Sequence, residues 1–184
     1  MVSLNRGDRI QVTDLNGEDT NTHLVTHDPI VYPGADRFEL IDVIDEQSSK
    51  TFVLKDVPFD NIEVLTRTDY LTIEMSDGRV WAIPTTFIAL NRASHYADEF
   101  DGNVSRSMEE DTLPLFEMDD YEVRDWASGN MDWDDVQQVA FVVARNNPYD
   151  YQSDWIRNEK TVRSADAVLD DETGGGDEND DDAS

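Results

Sequence analysis

The sequence predicts an α+β protein: an N-terminal small antiparallel β-barrel, then a β-hairpin with packed short helices, then a disordered acidic C-terminal tail. Three observations predict it. Short alternating apolar segments fill the first third of the chain, an Asp-Gly turn joins two alternating runs near the middle, and helix-period segments with N-cap residues follow that turn. The parts divide at residues 1–67, 68–163 and 164–184.

In the first part, Arg9-Ile10-Gln11-Val12-Thr13 alternates and follows Gly7-Asp8. Leu24-Val25 and Ile30-Val31-Tyr32 come next, broken by Pro29 and Pro33-Gly34. Phe38-Glu39-Leu40-Ile41-Asp42-Val43-Ile44 and Thr51-Phe52-Val53-Leu54 flank a polar turn, residues 45–50, which predicts a hairpin. Pro58-Phe59-Asp60-Asn61 reads as a tight turn before Ile62-Glu63-Val64. Strands at this spacing favour a small barrel or roll, with an SH3-like barrel as the specific expectation.

In the second part, Tyr70-Leu71-Thr72-Ile73-Glu74-Met75 and Arg79-Val80-Trp81-Ala82-Ile83 flank Ser76-Asp77-Gly78. Asp-Gly signals a hairpin because Gly accepts a positive φ. Pro84 suits the first position of a helix, and Ala89, Ala93, Tyr96, Ala97 and Phe100 keep helical spacing over residues 85–99. Asp101-Gly102-Asn103 ends that helix, and residues 104–112 form another, stopped near Pro114. Met118-Asp119-Asp120-Tyr121-Glu122-Val123 and Met131-Asp132-Trp133-Asp134-Asp135-Val136 both carry an N-cap Asp with an acid three residues on. Met/Val stand around each as a hydrophobic staple. Gly129 separates the two helices, and Val136, Val139, Ala140 and Val143 give the second a buried stripe. The pair reads as an αα-hairpin. Residues 146–163 hold Tyr149, Tyr151 and Trp155 and pack or form a short helix. From Ser164 the chain is acidic and Gly-rich, with too few apolar groups to offset the entropy of ordering.

Charge narrows the setting. Forty-two Asp and Glu oppose fourteen Lys and Arg, a formal net charge of −28 in 184 residues. The nine acids from Asp166 onward account for part of it, leaving about −19 on residues 1–165. Of the cations, eleven are Arg and three are Lys: Lys50, Lys55 and Lys160. The Debye length is ~8 Å at 0.15 M salt and ~3 Å at 1 M, so brine screens the self-repulsion while high charge keeps the molecule soluble. The composition therefore points to the multimolar-salt cytoplasm of a halophilic archaeon. Acids occur in nearly every block of ten residues, whereas a nucleic-acid mimic concentrates them on one face. With no Cys, disulfides, thiolate metal sites and a Cys nucleophile are excluded. No apolar run approaches the ~18 residues of a membrane span, and residues 1–10 do not read as a signal peptide. The expectation is a soluble intracellular protein or a virion component.

Most motifs have an ordinary reading. His23 and His27 stand four apart, but on a strand that spacing separates them by ~13 Å. His95 reads as a surface or half-buried residue rather than a base. Asp101-Gly102-Asn103-Val104-Ser105-Arg106-Ser107 begins like a calcium loop, yet Arg106 and Thr112 occupy positions that need Gly and Glu. Glu109-Glu110-Asp111 and Asp132-Asp134-Asp135 read as solvated acids and caps. Arg79, Arg92 and Arg106 read as partners of neighbouring acids. Trp81, Trp126, Trp133 and Trp155 read as core anchors. Asn103-Val104-Ser105 fits a glycosylation sequon without any sign of export. No Gly-rich phosphate loop or nucleophile elbow is present. Phosphate-mediated nucleic-acid binding is disfavoured by the charge and by molar salt.

One stretch resembles a known family. Trp81-Ala82-Ile83-Pro84, Ile88-Ala89-Leu90-Asn91-Arg92-Ala93, Tyr96-Ala97, Asp111-Thr112-Leu113, Asp125-Trp126-Ala127 and Asn130-Met131-Asp132-Trp133-Asp134-Asp135-Val136 resemble a small protein family of tailed bacteriophages and archaeal tailed viruses. The match runs from Trp81 to about Ala140, roughly a third of the chain. It implies a viral origin and carries no defined catalytic residues. The resulting expectation is a non-catalytic, virus-encoded interaction protein of a halophilic archaeal host, acting in virion assembly or host takeover. Its partner is a viral or host protein, with no membrane, cofactor or metal, and the sequence leaves the oligomeric state open. Trp81, Asn91, Arg92, Tyr96, Trp126, Asn130 and Trp133 are the candidate interaction residues. A DNA-mimic inhibitor predicts the acids gathered on one elongated face. A metal-dependent hydrolase or nuclease predicts three or more carboxylates or His in one pocket.

Overall fold

The computed structural model describes residues 3–13, 20–144 and 151–174. Five strands come first: β1 (Arg9–Thr13), β2 (Thr20–Val25), β3 (Arg37–Asp45), β4 (Thr51–Pro58) and β5 (Ile62–Thr66). They form an antiparallel sheet in the order β4-β3-β2-β1-β5. The predicted hairpin joins β3 to β4, with Ser49 at φ 54 in its turn. A 3-10 turn at Phe59–Asn61 then carries the chain from one edge of the sheet to the other. The outer strands β4 and β5 are not paired, so the sheet is open and the expected closed barrel does not form. Exposed Lys50 and Lys55, and Asp56 at φ 53, stand on the β4 edge where a closing strand would pair. Charge and a backbone kink both blunt such an edge. Ile30-Val31-Tyr32 makes one bridge, Ile30 to Leu40, rather than a strand. Pro29 and Pro33 flank it, and proline gives a ladder no donor.

The second sheet contains β6 (Tyr70–Glu74) and β7 (Val80–Pro84), joined through Gly78 at φ 76. Pro84 ends β7 and caps the helix instead of opening it. The helix α1 (Thr85–His95) is shorter than the expected 85–99, and a 3-10 turn (Ala97–Phe100) completes the segment. After Asp101 and Gly102, at φ 57 and 77, come α2 (Val104–Ser107), a π-helical turn (Met108–Thr112) and α3 (Leu113–Met118). These run on as one fifteen-residue helix, so Pro114 does not stop it. Proline lacks an N–H and crowds the carbonyl four residues back. The π turn just before Pro114 widens the register where that bond would be lost.

The helix α4 (Asp120–Asn130) starts on the side chain of Asp119, which accepts from the Tyr121 N–H at 2.8 Å. Its expected staple is absent, because Met118 is 82% exposed. It also runs through Gly129, which here does not end the helix. The helix α5 (Trp133–Val136) has a complete capping box between Asp132 and Asp135, but it lasts one turn. Val143, expected on its stripe, lies instead in β8 (Phe141–Ala144), paired with β7. Beyond it are α6 (Tyr151–Arg157), β9 (Lys160–Arg163) paired with β6, and α7 (Ala165–Gly174). The second sheet thus runs β8-β7-β6-β9. The tail expected to be disordered from Ser164 is helical to Gly174, because Val168 finds an apolar seat on Tyr70, Ala82, Phe141 and Val143. The later tail residues lie outside the described residues. No helix among those described is long and apolar enough to cross a membrane.

The second sheet is a middle layer. Leu71, Ile73, Met75 and Ile83 face the helices, while Tyr70 and Ala82 face α7. Leu24 and Ile44 of the first sheet enter the helical core, and Ile10, Val25, Ile41 and Val43 form a second core inside that sheet. A short N-terminal segment fastens the halves. Gly7 has φ 87, and a Cβ there would lie 2.3 Å from the Pro84 Cβ. Only glycine fits both the conformation and the space. Around it, the Tyr70 hydroxyl donates to the Arg6 carbonyl at 2.7 Å and the Thr86 hydroxyl to the Gly7 carbonyl.

Candidate functional site

Four of the seven sequence candidates meet on one surface, where α1 crosses α4. Helical spacing sets Arg92 and His95 along one stripe of α1, and Tyr96 follows as its C-cap residue. The Trp126 indole N–H donates to Asn91 Oδ1 at 3.0 Å, which orients the ring. The Arg92 guanidinium lies 4.8 Å from the Tyr96 ring centre and 5.8 Å from that of Trp126. His95 closes the group, 4.9 Å from Tyr96 and 5.5 Å from Trp126. Asn130, exposed at the end of α4, donates to the Trp126 carbonyl at 3.3 Å. Trp81 and Trp133 lie elsewhere, packed edge to face at 5.1 Å, with Trp155 behind Trp133 at 6.5 Å. Trp133 and Trp155 are buried, so that group anchors the core.

Arg92 is pinned from the other side by the π turn. Its Nη1 donates to Asp111 and to the Thr112 hydroxyl at 2.8 Å. The side chain is 14% exposed, so the cation is held rather than free in solvent. The three acids of this turn, which read as solvated in sequence, each take a different arginine. Glu109 accepts from Arg9 at 2.8 Å, Glu110 from Arg106 at 2.8 Å, and Asp111 from Arg92. The widened turn fans neighbouring carboxylates outward. Arg79 likewise pairs with Asp77 at 3.4 Å, so the three candidate basic residues are all ion-paired. Asn103, the third residue of the calcium-loop lookalike, caps α2 by accepting from the Arg106 N–H at 2.9 Å.

A second polar centre, not anticipated from sequence, lies where the first sheet meets the helices. Arg9 donates to both oxygens of Glu46, at 2.7 and 3.0 Å, and the pair is buried. Burial opposes the Arg9 charge, but Glu46 and Glu109 outweigh it and hold its pKa above the ordinary arginine value. His23 is buried beside this pair, with Nδ1 3.9 Å from Asp45. Burial lowers its pKa against the opposing pull of Asp45 and Glu46. His27 is exposed and lies 3.9 Å from Asp42, so the two histidines serve different acids. Next to them the Gln47 amide donates to the Gly102 carbonyl at 2.8 Å, and its oxygen accepts from the Val104 N–H at 2.9 Å.

Among the described residues, no three His, Asp or Glu side chains come together as a cation site requires. Chemically, the α1/α4 surface presents a fixed guanidinium edge, the exposed His95 ring, the half-buried Tyr96 and Trp126 rings and the Asn91 amide. Such a set stacks and hydrogen-bonds. The Arg92–Tyr96 spacing and the proximity of His95 are legible in sequence. Trp126 is among the sequence candidates, but its contact with α1, like those of Asp111 and Thr112, joins distant positions and leaves no local signal. Comparison with protein-family models, with curated proteins and with solved structures finds no match to this chain.

Proposed function

We propose that the chain is a non-catalytic, virus-encoded interaction protein of a halophilic archaeal host, which binds a viral or host protein through the α1/α4 surface during virion assembly or host takeover. One observation carries this reading: Arg92, His95, Tyr96 and Trp126 form a pre-ordered aromatic and guanidinium group on a chain in which acids outnumber cations three to one. Tryptophan, tyrosine and arginine dominate the energetic centres of protein interfaces, because they bury large area at low conformational cost. In brine, long-range charge steering is screened within ~3 Å, which leaves stacking and apolar burial to carry affinity. The viral assignment rests on the resemblance over Trp81 to about Ala140.

For residues 1–67 we retain an SH3-like roll, open at one seam. The strand order β4-β3-β2-β1-β5 and the 3-10 turn before the last strand support it.

The test is affinity purification from infected cells in molar KCl, with wild type and Tyr96→Ala compared. Tyr96 is half-exposed and its ring supports Arg92, so the variant removes the surface and keeps the core. A partner retained by wild type and lost by Tyr96→Ala is the expected result. Recovery of free monomer alone, or equal capture by both, overturns the reading.

A further inference from the structure

The stripe of α1 next to the aromatic one opens on a cleft of about 290 Å³. Buried Leu90 and half-buried Phe87 give it an apolar base, and Asn91 and Ser94 continue that wall. Exposed Asp134 and Asp135 stand opposite. Phe87, Asn91 and Ser94 follow i, i+4, i+7 spacing and therefore share one face of α1. Asn91 belongs to both surfaces, since it lines the cleft and also accepts the Trp126 N–H. The cleft is thus continuous with the α1/α4 surface.

The two carboxylates are already fixed in direction. Asp134 accepts from the Gln137 amide at 3.0 Å, and Asp135 accepts from the Asp132 N–H at 2.9 Å. Each bond occupies one oxygen, Asp134 Oδ1 and Asp135 Oδ2. Among the described residues, no arginine, lysine or histidine forms a salt bridge with either, in contrast to the three acids of the π turn. An apolar base with carboxylates at its mouth complements a long side chain that ends in a cation: the stem lies on Phe87 and Leu90, and the head meets the rim. A planar guanidinium can use two acceptors at once and is less strongly hydrated than an ammonium.

We propose that this cleft receives an arginine side chain of the partner protein, beside the aromatic contact. The proposal rests on the interaction reading above and names the partner chemistry for it. Molar salt weakens the attraction between the exposed charges. The stem contact and the directed hydrogen bonds then carry the specificity.

The experiment is an NMR titration of the full chain in molar KCl, following backbone and side-chain amides. Acetyl-arginine amide is the probe; acetyl-norleucine amide keeps the stem without the charge, and acetyl-glutamate amide reverses the charge. Saturable shifts at Asn91, Ser94, Asp134 and Asp135 are expected with the arginine derivative. Loss of charge-assisted bonds makes the norleucine derivative about tenfold weaker. Asp134→Asn, which spares the capping box of Asp132 and Asp135, weakens the arginine response by about the same factor. Ser94→Leu fills the mouth and abolishes it. No saturable shift, or an equal response to the glutamate derivative, overturns the proposal. Partner capture separates the two readings. Capture unchanged in Asp134→Asn and Ser94→Leu but lost in Tyr96→Ala sinks the cleft and leaves the aromatic surface standing. Arginine binding that persists in a protein capturing no partner sinks the interaction reading and leaves the cleft as a site.

Discussion

At the scale of single residues, the buried Arg9–Glu46 pair is the most exacting arrangement in the molecule. Its two hydrogen bonds, 2.7 and 3.0 Å, satisfy the charge on each side, and Glu109 satisfies a further donor from a different element. Taking two ions out of water is costly, so the pair is weak evidence for stability. It fixes how β1 and the end of β3 sit against the π turn. This makes an asymmetric prediction. Glu46→Leu alone leaves a guanidinium buried with only the exposed Glu109 as an acidic partner and costs about 3–5 kcal/mol. Arg9→Met combined with Glu46→Leu removes both charges and recovers most of that loss. Urea denaturation in molar KCl measures the three midpoints. A double variant as unstable as the single one would show that the pair stabilises the fold outright. The pair was invisible in sequence because thirty-seven positions separate its members and any acid in so acidic a chain could have been the partner.

At the scale of elements, local grammar was legible where it closes on itself. Alternation gave β1, β3 and β4, Asp-Gly gave the β6–β7 hairpin, and Asp132 gave a complete capping box. It failed where a segment takes its form from a distant neighbour. Val136, Val139, Ala140 and Val143 fit a helical stripe, yet Phe141-Val142-Val143 is also β-branched and aromatic enough for a strand. Pairing with β7 decides between them, and that partner lies far back in the chain. The same holds for β9 on β6 and for α7, whose acidic composition conceals one fully buried valine. Asp166 is exposed and Val168 is buried, so composition alone does not report the packed face. Val168→Ala should therefore lower stability by about 1–3 kcal/mol, and truncation after Ser164 by at least as much. Thermal melts at high salt test this; an unchanged midpoint in both variants would mean that the contact with Tyr70, Phe141 and Val143 contributes nothing. The candidate surface divides along the same line. Its α1 stripe was legible from spacing, while its α4 and π-turn members depend on packing.

For the whole molecule, the governing quantity is charge. The fold answers part of it locally, since Arg6, Arg9, Arg37, Arg67, Arg79, Arg92 and Arg106 each sit on a carboxylate. With forty-two acids and fourteen cations, however, pairing cannot neutralise the surface. The remaining carboxylates repel one another over a distance set by the ionic strength, ~8 Å at 0.15 M and ~3 Å at 1 M. Compactness is then penalised in dilute buffer and tolerated in brine, while the unfolded chain relieves its repulsion by expanding in either. The apolar cores act in the same direction, because salts excluded from protein surface strengthen burial. Dialysis to low ionic strength should broaden the thermal transition seen by circular dichroism and lower its midpoint, and added KCl should restore both. Sucrose, which strengthens burial without screening charge, separates the two contributions. Recovery with sucrose alone would assign the salt requirement to the cores. A sharp transition with the same midpoint in salt-free buffer would mean that the carboxylates do not oppose folding, and the brine reading of the sequence would fall with it.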